Sequence, residues 1–442
     1  MALFQLSIVS FALNVTMNII KYCSTVLSLS VLFAFAARSQ DTLTFSLRDA
    51  ETRFLKENLI LMAEHLELDV GELEIQRAGL WDNPEIEVEH QIINRDGRGA
   101  VGFTGRDNTA FGIEQLFLTA GKRGHRVRLQ ELNKQRTEQQ LNLLIRTFIL
   151  TLREEYIRLA YLNRIEGLYQ RQIDALEMIL ASFEDQYQQG NIPRLEIIRL
   201  RSLLLELETE YNEVLEDRME ARQSLKILLQ LEDQIPVPEL PEDPWQATNR
   251  PLELNVEDLY ETALESRGDI RSTLIAVNAA ERSLLLEQAN QWPDLVIGLV
   301  YDRLDGFVEN YFGIGFSMQI PLWDRNRGNI RIATHRIRQS ELLLTQQQQE
   351  LRHVLESAVS RVNRAQRLHE RTELSYEYEF GEIIQALTIQ YQRGDIRLIE
   401  FMDFYESFRE GVIRKYSVQE DLLRAAEELN FKVGLDIFQF IF

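Results

Sequence analysis

The chain goes through one sequence of signals twice. Residues 50–231 and 259–435 share an order of motifs that is clearest at two points. Tyr187-Gln188-Gln189-Gly190-Asn191-Ile192 returns as Tyr391-Gln392-Arg393-Gly394-Asp395-Ile396, with Glu196 and Glu400 each six residues past the glycine. An amphipathic helix ending in Asn83-Pro84, followed by an alternating strand with Ile86 and Val88, returns as a helix ending in Trp292-Pro293 and a strand with Leu295 and Ile297. A period of roughly 200 residues is far longer than a solenoid unit. The chain is therefore a duplicated half, and its two halves line one pseudo-symmetric feature.

Helix breakers are scarce. Of nine prolines, five (Pro236, Pro238, Pro241, Pro244, Pro251) crowd into one stretch. That stretch, 232–257, reads as a linker between a first repeat at 41–231 and a second at 258–435, with 436–442 as a C-terminal tail. A net charge of -21 argues against nucleic acid, since a phosphate-binding surface needs an excess of Lys and Arg. It favours a cation-attracting surface or lumen. At the N-terminus Lys21 precedes an apolar run from Ser24 to Ala37, and Ala34-Phe35-Ala36 has the form of a cleavage site. Residues 1–40 read as a signal peptide, with Met17 a possible true start. The competing reading, a membrane anchor, needs an apolar run of ~20 residues. The only cysteine, Cys23, lies in this segment, so disulfides contribute nothing to the mature chain.

Helical periodicity dominates the interior. Leu200, Leu204, Leu207, Tyr211, Val214, Ala221, Leu225 and Leu228 form a coiled-coil seam. From Gly328 to Gln390 there is no proline and only Gly381 interrupts, so one continuous helix would run ~95 Å. The matching stretch of the first half, about 126–188, contains only Gly167. Several shorter helices bent at Gly167 and Gly381 are the alternative. Between the helices lie two strand pairs, at about 84–94 and 110–118 and at about 294–302 and 310–320. Phe312, Ile314, Phe316, Met318 and Ile320 alternate with Gly313, Gly315, Ser317 and Gln319, a period of two with one apolar and one small or polar face. The polar run Asp302–Gly306 is the expected turn. Strands of this kind fit an outer-membrane barrel or a half-buried sheet. Four strands cannot close a barrel, and an open edge in lipid is forbidden, so the barrel reading requires several chains. Three chains would give twelve strands, an even number in the usual range.

Duplicated halves of helix, strand pair, very long helix, Tyr-x-x-Gly turn and return helix resemble the TolC-type outer-membrane efflux proteins over about residues 45–435. Gly121-Lys122-Arg123 with Arg126 is similar to the Gly-Lys-Arg element of the CzcC-like heavy-metal (cobalt-zinc-cadmium) branch. Pro321-Leu322-Trp323-Asp324-Arg325-Asn326-Arg327-Gly328 resembles the same branch's Pro-Leu-x-Asp-Arg-Asn-x-Gly, with Trp323 where Phe is common. The resemblance implies a mainly α fold with a small β part: a long α-helical coiled-coil barrel under a trimer-shared 12-stranded antiparallel β-barrel. It implies a homotrimer in outer-membrane lipid of a Gram-negative bacterium. Its partners would be a periplasmic adaptor (membrane fusion protein) and an inner-membrane RND-type transporter. It would be a passive exit duct, for divalent heavy-metal cations in this branch, with no catalysis. A duct of the same fold for drugs is one alternative, and a soluble periplasmic coiled-coil adaptor is another.

The candidate residues follow. In TolC-type proteins acidic residues at the offsets of Glu400 and Asp403 form a constriction ring, and two carboxylates three apart share a helix face. The alternative is a solvated acidic face. Glu196 repeats Glu400, but Arg199 replaces Asp403 and is a candidate latch. Tyr187, Gly190, Tyr391 and Gly394 mark helix breaks at the tip, with Asn191 and Asp395 as expected N-caps of the returning helices. Glu87, Glu89, Gln91, Glu114, Ser317 and Gln319 are expected to face the barrel lumen. Gly121, Lys122, Arg123, Asp324, Arg325, Asn326 and Gly328 belong to the barrel–tunnel joint. Basic residues oppose the helix dipole there, so Lys122, Arg123, Arg325 and Arg327 are expected to form interchain salt bridges. Six histidines show no zinc-ligand spacing, and no nucleophile, phosphate loop or cofactor motif is present. No cofactor, resident metal or enzymatic role is expected.

Overall fold

The computed structural model describes residues 42–90, 108–251, 253–305, 308–373, 386–391, 393 and 395–442. The signal-peptide expectation, Gln91, Gly381 and Gly394 fall outside these residues. The first half runs β1 (Thr42–Phe45), α1 (Leu47–Glu57), α2 (Leu59–Gly79), β2 (Glu85–His90), β3 (Thr109–Phe117), α3 (Lys122–Gln188) and α4 (Arg194–Leu228). Then come β4 (Ile235–Pro238) and β5 (Thr248–Asn249). The second half runs α5 (Val256–Ser266), α6 (Gly268–Ala289), β6 (Leu295–Asp305), β7 (Val308–Met318), α7 (Arg327–Glu373), a helical piece at 386–391, α8 (Leu398–Val433) and β8 (Gln439–Phe440).

Helix α3 is continuous for 67 residues, ~100 Å. It passes through Gly167 without a break, so the bent alternative fails in the first half. A helical glycine costs about 1 kcal/mol relative to alanine. Neighbours Leu168 and Tyr169, both buried, anchor the helix at that point and outweigh the cost. Helix α7 spans 47 residues. Along the α3–α4 hairpin the expected seam is buried at Leu200, Leu207, Ala221, Leu225 and Leu228, with Leu203 beside it. Leu398, Phe401 and Tyr405 of α8 complete this lower core against Tyr169, Ile173, Leu176 and Phe183 of α3. Gly268 opens α6 against α3, where a Cβ would stand 2.5 Å from the Gln139 carbonyl. That position tolerates nothing larger than glycine.

The segments outside the repeats are not passive. β1 pairs in parallel with β4, and β5 pairs antiparallel with β8. The Tyr156 hydroxyl donates to the Phe45 carbonyl (3.0 Å) and the Glu239 carbonyl (2.6 Å), and Leu47 N–H donates to the Phe442 carbonyl (3.1 Å). Trp245 and Phe438 are buried in the upper core. Residues 232–257 and 436–442, expected as a linker and a tail, thus join 42–45 in a belt around the helices. Pro236 and Pro238 allow this because they sit in β4, one strand of a two-stranded pair, where a missing N–H can face away from the partner. Within this belt Arg153 of α3 is buried and ion-paired to Glu51 of α1, Glu427 of α8 and Asp436.

One sheet carries all the long strands, in the order β2-β3-β6-β7, antiparallel throughout. The expected turn at Asp302–Gly306 is corrected. β6 continues to Asp305, paired with Val308, because Asp302 and Leu304 keep the ladder to Tyr311 and Glu309. β7 ends at Met318, so Ile320 and Gln319 lie beyond the strand. Among the described residues no helix is long and apolar enough to cross a membrane.

Candidate functional site

The sheet has two chemically opposed faces. Register places Ile86 and Val88 beside Ile113 and Phe111, then Leu299 and Tyr301, then Ile314 and Phe312. Ile86, Phe312, Ile314 and Phe316 are about 70 % exposed or more, so the chain alone leaves this apolar face bare. Burying such a face is worth about 25 cal/mol per Å2, and only lipid or protein can cover it. The opposite face carries Glu85, Glu87, Glu89 and Glu114, with Gly112, Gly298, Gly313, Gly315 and Ser317 filling the positions between them. The expected lumen residues Glu87, Glu89, Glu114 and Ser317 therefore share one face. Gln319 carries the same parity past the strand end. Glu85 and Asp302 were missed, though their parity with Glu87 and with Gly298 marks them.

At the base of the sheet, Gly121 takes φ 73° and Asn326 takes φ 57°, each immediately before a long helix. The Asn326 N–H donates to Asp324 Oδ1 (3.0 Å), and its side-chain amide donates to the Glu287 carbonyl (2.8 Å). Lys122 is buried, and its ammonium donates to Asp294 Oδ1 and to the Trp292 carbonyl, each at 2.7 Å. The expected interchain bridge is corrected for Lys122: its partner is within the chain, on the second repeat, because β3 and β6 are neighbours. Burial pushes the Asp294 carboxyl up, but hydrogen bonds from Lys122 and from Thr119 N–H outweigh it and hold the group below its usual range. Arg123 stacks over the Trp81 ring at 4.3 Å, a cation–π contact again inside the chain. Arg325 and Arg327 are exposed, and nothing lies within 4 Å of a Cβ built at Gly328.

At the far end of the helices, Gly190 has φ 80° and ends α3; its N–H donates to the Tyr187 carbonyl (2.9 Å) and Asn191 N–H to the Gln186 carbonyl (3.0 Å). Asp395 N–H donates to the Gln390 carbonyl (2.9 Å) in the same way. Asn191 and Asp395 thus close the outgoing helices and do not cap the returning ones, which begin after Pro193 and Arg397. Glu196 and Glu400 both occupy the third helical position. Glu400 accepts from its own cap, Arg397 N–H (2.9 Å) and the Arg397 guanidinium (2.8 Å), which hold it below the usual carboxylate range. Pro193 offers no N–H, so Glu196 is free to accept from the Tyr391 hydroxyl of the other repeat at 2.9 Å. Burial, then Glu196, pushes the Tyr391 hydroxyl up. Tyr391 stacks on Phe183 at 4.9 Å. Tyr187, Arg199 and Asp403 are exposed, and among the described residues no ion pair within the chain holds Arg199 or Asp403.

No group of side chains among the described residues is arranged to hold a metal ion. The layout is a bare apolar face, an acidic face and a helical arm closed by a cross-repeat tip.

Residues 259–434 match the family described as "Outer membrane efflux protein". No curated protein matches the chain. Among solved structures it is similar to CusC, at 15% identity with a TM-score of 0.68, covering 88% of this chain and 92% of that one. It is similar to the Campylobacter jejuni CmeC outer membrane channel, at 14% identity with a TM-score of 0.73, covering 89% and 86%. The open state of the Neisseria gonorrhoeae MtrE outer membrane channel aligns at 14% identity with a TM-score of 0.67, covering 88% and 89%. The family's signature is thus carried by the second half, 259–434, while most of the chain has the fold of these outer-membrane channels.

Proposed function

We propose that three copies of the chain form the exit duct of a tripartite efflux pump, docked through their helical tip to a periplasmic adaptor and an inner-membrane RND-type transporter, and that its cargo is divalent heavy-metal cations. The observation that carries the duct is the sheet with its bare apolar face and acidic opposite face. Curled into a barrel, it turns the apolar side to lipid and the carboxylates to water. Glu87, Glu89 and Glu114, repeated around a ring, would concentrate cations and repel anions. The metal assignment adds the likeness of Gly121-Lys122-Arg123 and of 321–328 to the heavy-metal branch. A duct needs no tight site, since strong binding would stall passage.

At the tip Asp403 is the cleaner gate candidate, because Glu400 is engaged by Arg397. In planar-bilayer conductance Asp403→Asn should lower cation over anion preference, and Glu87→Gln with Glu89→Gln should lower it further. Unchanged selectivity in both would make these carboxylates a solvated face. A strain lacking the gene should become sensitive to zinc, cobalt or cadmium. Sensitivity to dyes and detergents with metal tolerance intact would transfer the duct to organic solutes.

A further inference from the structure

We propose that, within the duct, the junction between β7 of one copy and β2 of the next repeats the register of the internal β3–β6 junction, and that Arg327 of one copy clamps Glu85 of the next as Lys122 clamps Asp294 within the chain. The proposal rests on the duct reading, which requires the two open sheet edges to be covered. An unpaired edge in lipid leaves a row of N–H and C=O groups with no hydrogen-bond partner, which a hydrocarbon environment does not tolerate.

The internal repeat supplies the template. Gly121 and Asn326 both precede a helix in the left-handed conformation, and their carbonyls accept the first helical bond from His125 N–H (3.0 Å) and Ile330 N–H (3.1 Å). That makes Lys122 and Arg327 equivalent. Separately, Pro84 and Pro293 precede β2 and β6, which makes Ile86 equivalent to Leu295. Across their hairpins these face Ile113 and Met318. The offset from Ile113 to Met318 is the same as that from Lys122 to Arg327, so helix start and strand register agree independently.

With this equivalence, each β3–β6 pair becomes a pair between copies. Ile113–Leu299 maps to Met318–His90, Glu114–Gly298 to Gln319–Glu89, Gln115–Ile297 to Ile320–Val88 and Phe117–Leu295 to Leu322–Ile86. The faces agree. Exposed apolar Ile320 and Leu322 meet exposed apolar Val88 and Ile86, and Gln319 meets Glu89 on the acidic face. The mapping also explains why β7 stops at Met318 while its alternation continues to Ile320. Gln115–Phe117 of β3 extend past the end of β2 and pair with β6 alone. Their equivalents have no partner until the next copy supplies β2.

At the joint, Asp294 corresponds to Glu85, and the Trp292 carbonyl to that of Asn83. Lys122 holds the first pair at 2.7 Å to each oxygen. Arg327 and Glu85 are both exposed, and no ion pair within the described residues takes up either. A cation opening a helix opposes the dipole unless a carboxylate offsets it. Glu85 of the next copy is that carboxylate.

The chain's single cysteine, Cys23, permits a clean test in the full-length detergent-purified protein carrying Cys23→Ser. Adding Gln319→Cys with Glu89→Cys should give covalently linked oligomers on mild oxidation, since the two edges are too far apart to link within one sheet. The control pair, Gln319→Cys with Glu85→Cys, should not link. Arg327→Glu should lose most of the oligomer, and Arg327→Glu with Glu85→Arg should recover it. Linking of the control pair instead, or no recovery in the double reversal, overturns the register or the clamp while light scattering still reports an oligomer. A monomer by light scattering in the parent protein overturns the duct reading itself, and the proposal with it.

Discussion

Lys122 shows how a single side chain can be placed correctly by sequence and partnered incorrectly. A cation beginning a helix is electrostatically misplaced, so its need for a carboxylate was legible. The carboxylate, Asp294, lies 172 residues away and arrives only because β3 and β6 are neighbours. Asp294→Asn strands a nearly buried ammonium. Removing one partner of a buried pair costs about 3–5 kcal/mol, and the partial exposure of Asp294 reduces this to about 2–4 kcal/mol. Because Asp294 sits below its usual range in the fold, its contribution is full above about pH 4 and fades as pH falls through the folded value. Thermal unfolding followed by circular dichroism should therefore show a variant gap at pH 7 that narrows below about pH 4. A gap independent of pH would deny the charge its role. Glu196 and Glu400 make a related case: equivalent in sequence, they differ in partner because Pro193 lacks the N–H that Arg397 offers.

At the scale of elements, the long helices were readable from the scarcity of proline and the heptad seam. Their cross-links were not. Arg153 ties α1, α3, α8 and the segment holding Asp436 through one buried guanidinium. Burial pushes the Glu427 carboxyl up to about 7 even beside this charge. In Arg153→Met the pull of the guanidinium is gone, so folded Glu427 holds its proton higher still. A carboxyl whose folded pKa exceeds its unfolded one weakens the fold as pH rises from about 4 toward the folded value. The variant should lose about 3–5 kcal/mol at pH 8 and less at pH 5, measured by urea unfolding of the helical signal. Equal losses at the two pH values would mean that packing, not charge, holds the belt.

For the whole molecule, the exposed apolar face makes a fractionation experiment decisive. The chain should be recovered from the outer membrane and released only by detergent. Recovery from soluble periplasm would show that the face is covered by protein and not by lipid. The same scale explains why 232–257 and 436–442 looked like linker and tail. Their short strands β4, β5 and β8 have no periodicity of their own, and each becomes regular only against a strand from a distant part of the chain.

The sequence by itself determined the duplication, the long helices, the alternating strands and the acidic face. These are local properties, written in periods of two and 3.6 and in the scarcity of helix breakers. Tertiary structure decided the strand order, the Lys122–Asp294 and Arg153 ion pairs, the Tyr391–Glu196 contact across the repeats and the belt. Each of these joins residues far apart in the chain, and chain separation carries no local signal of which distant group will arrive to neutralise a charge or complete a ladder.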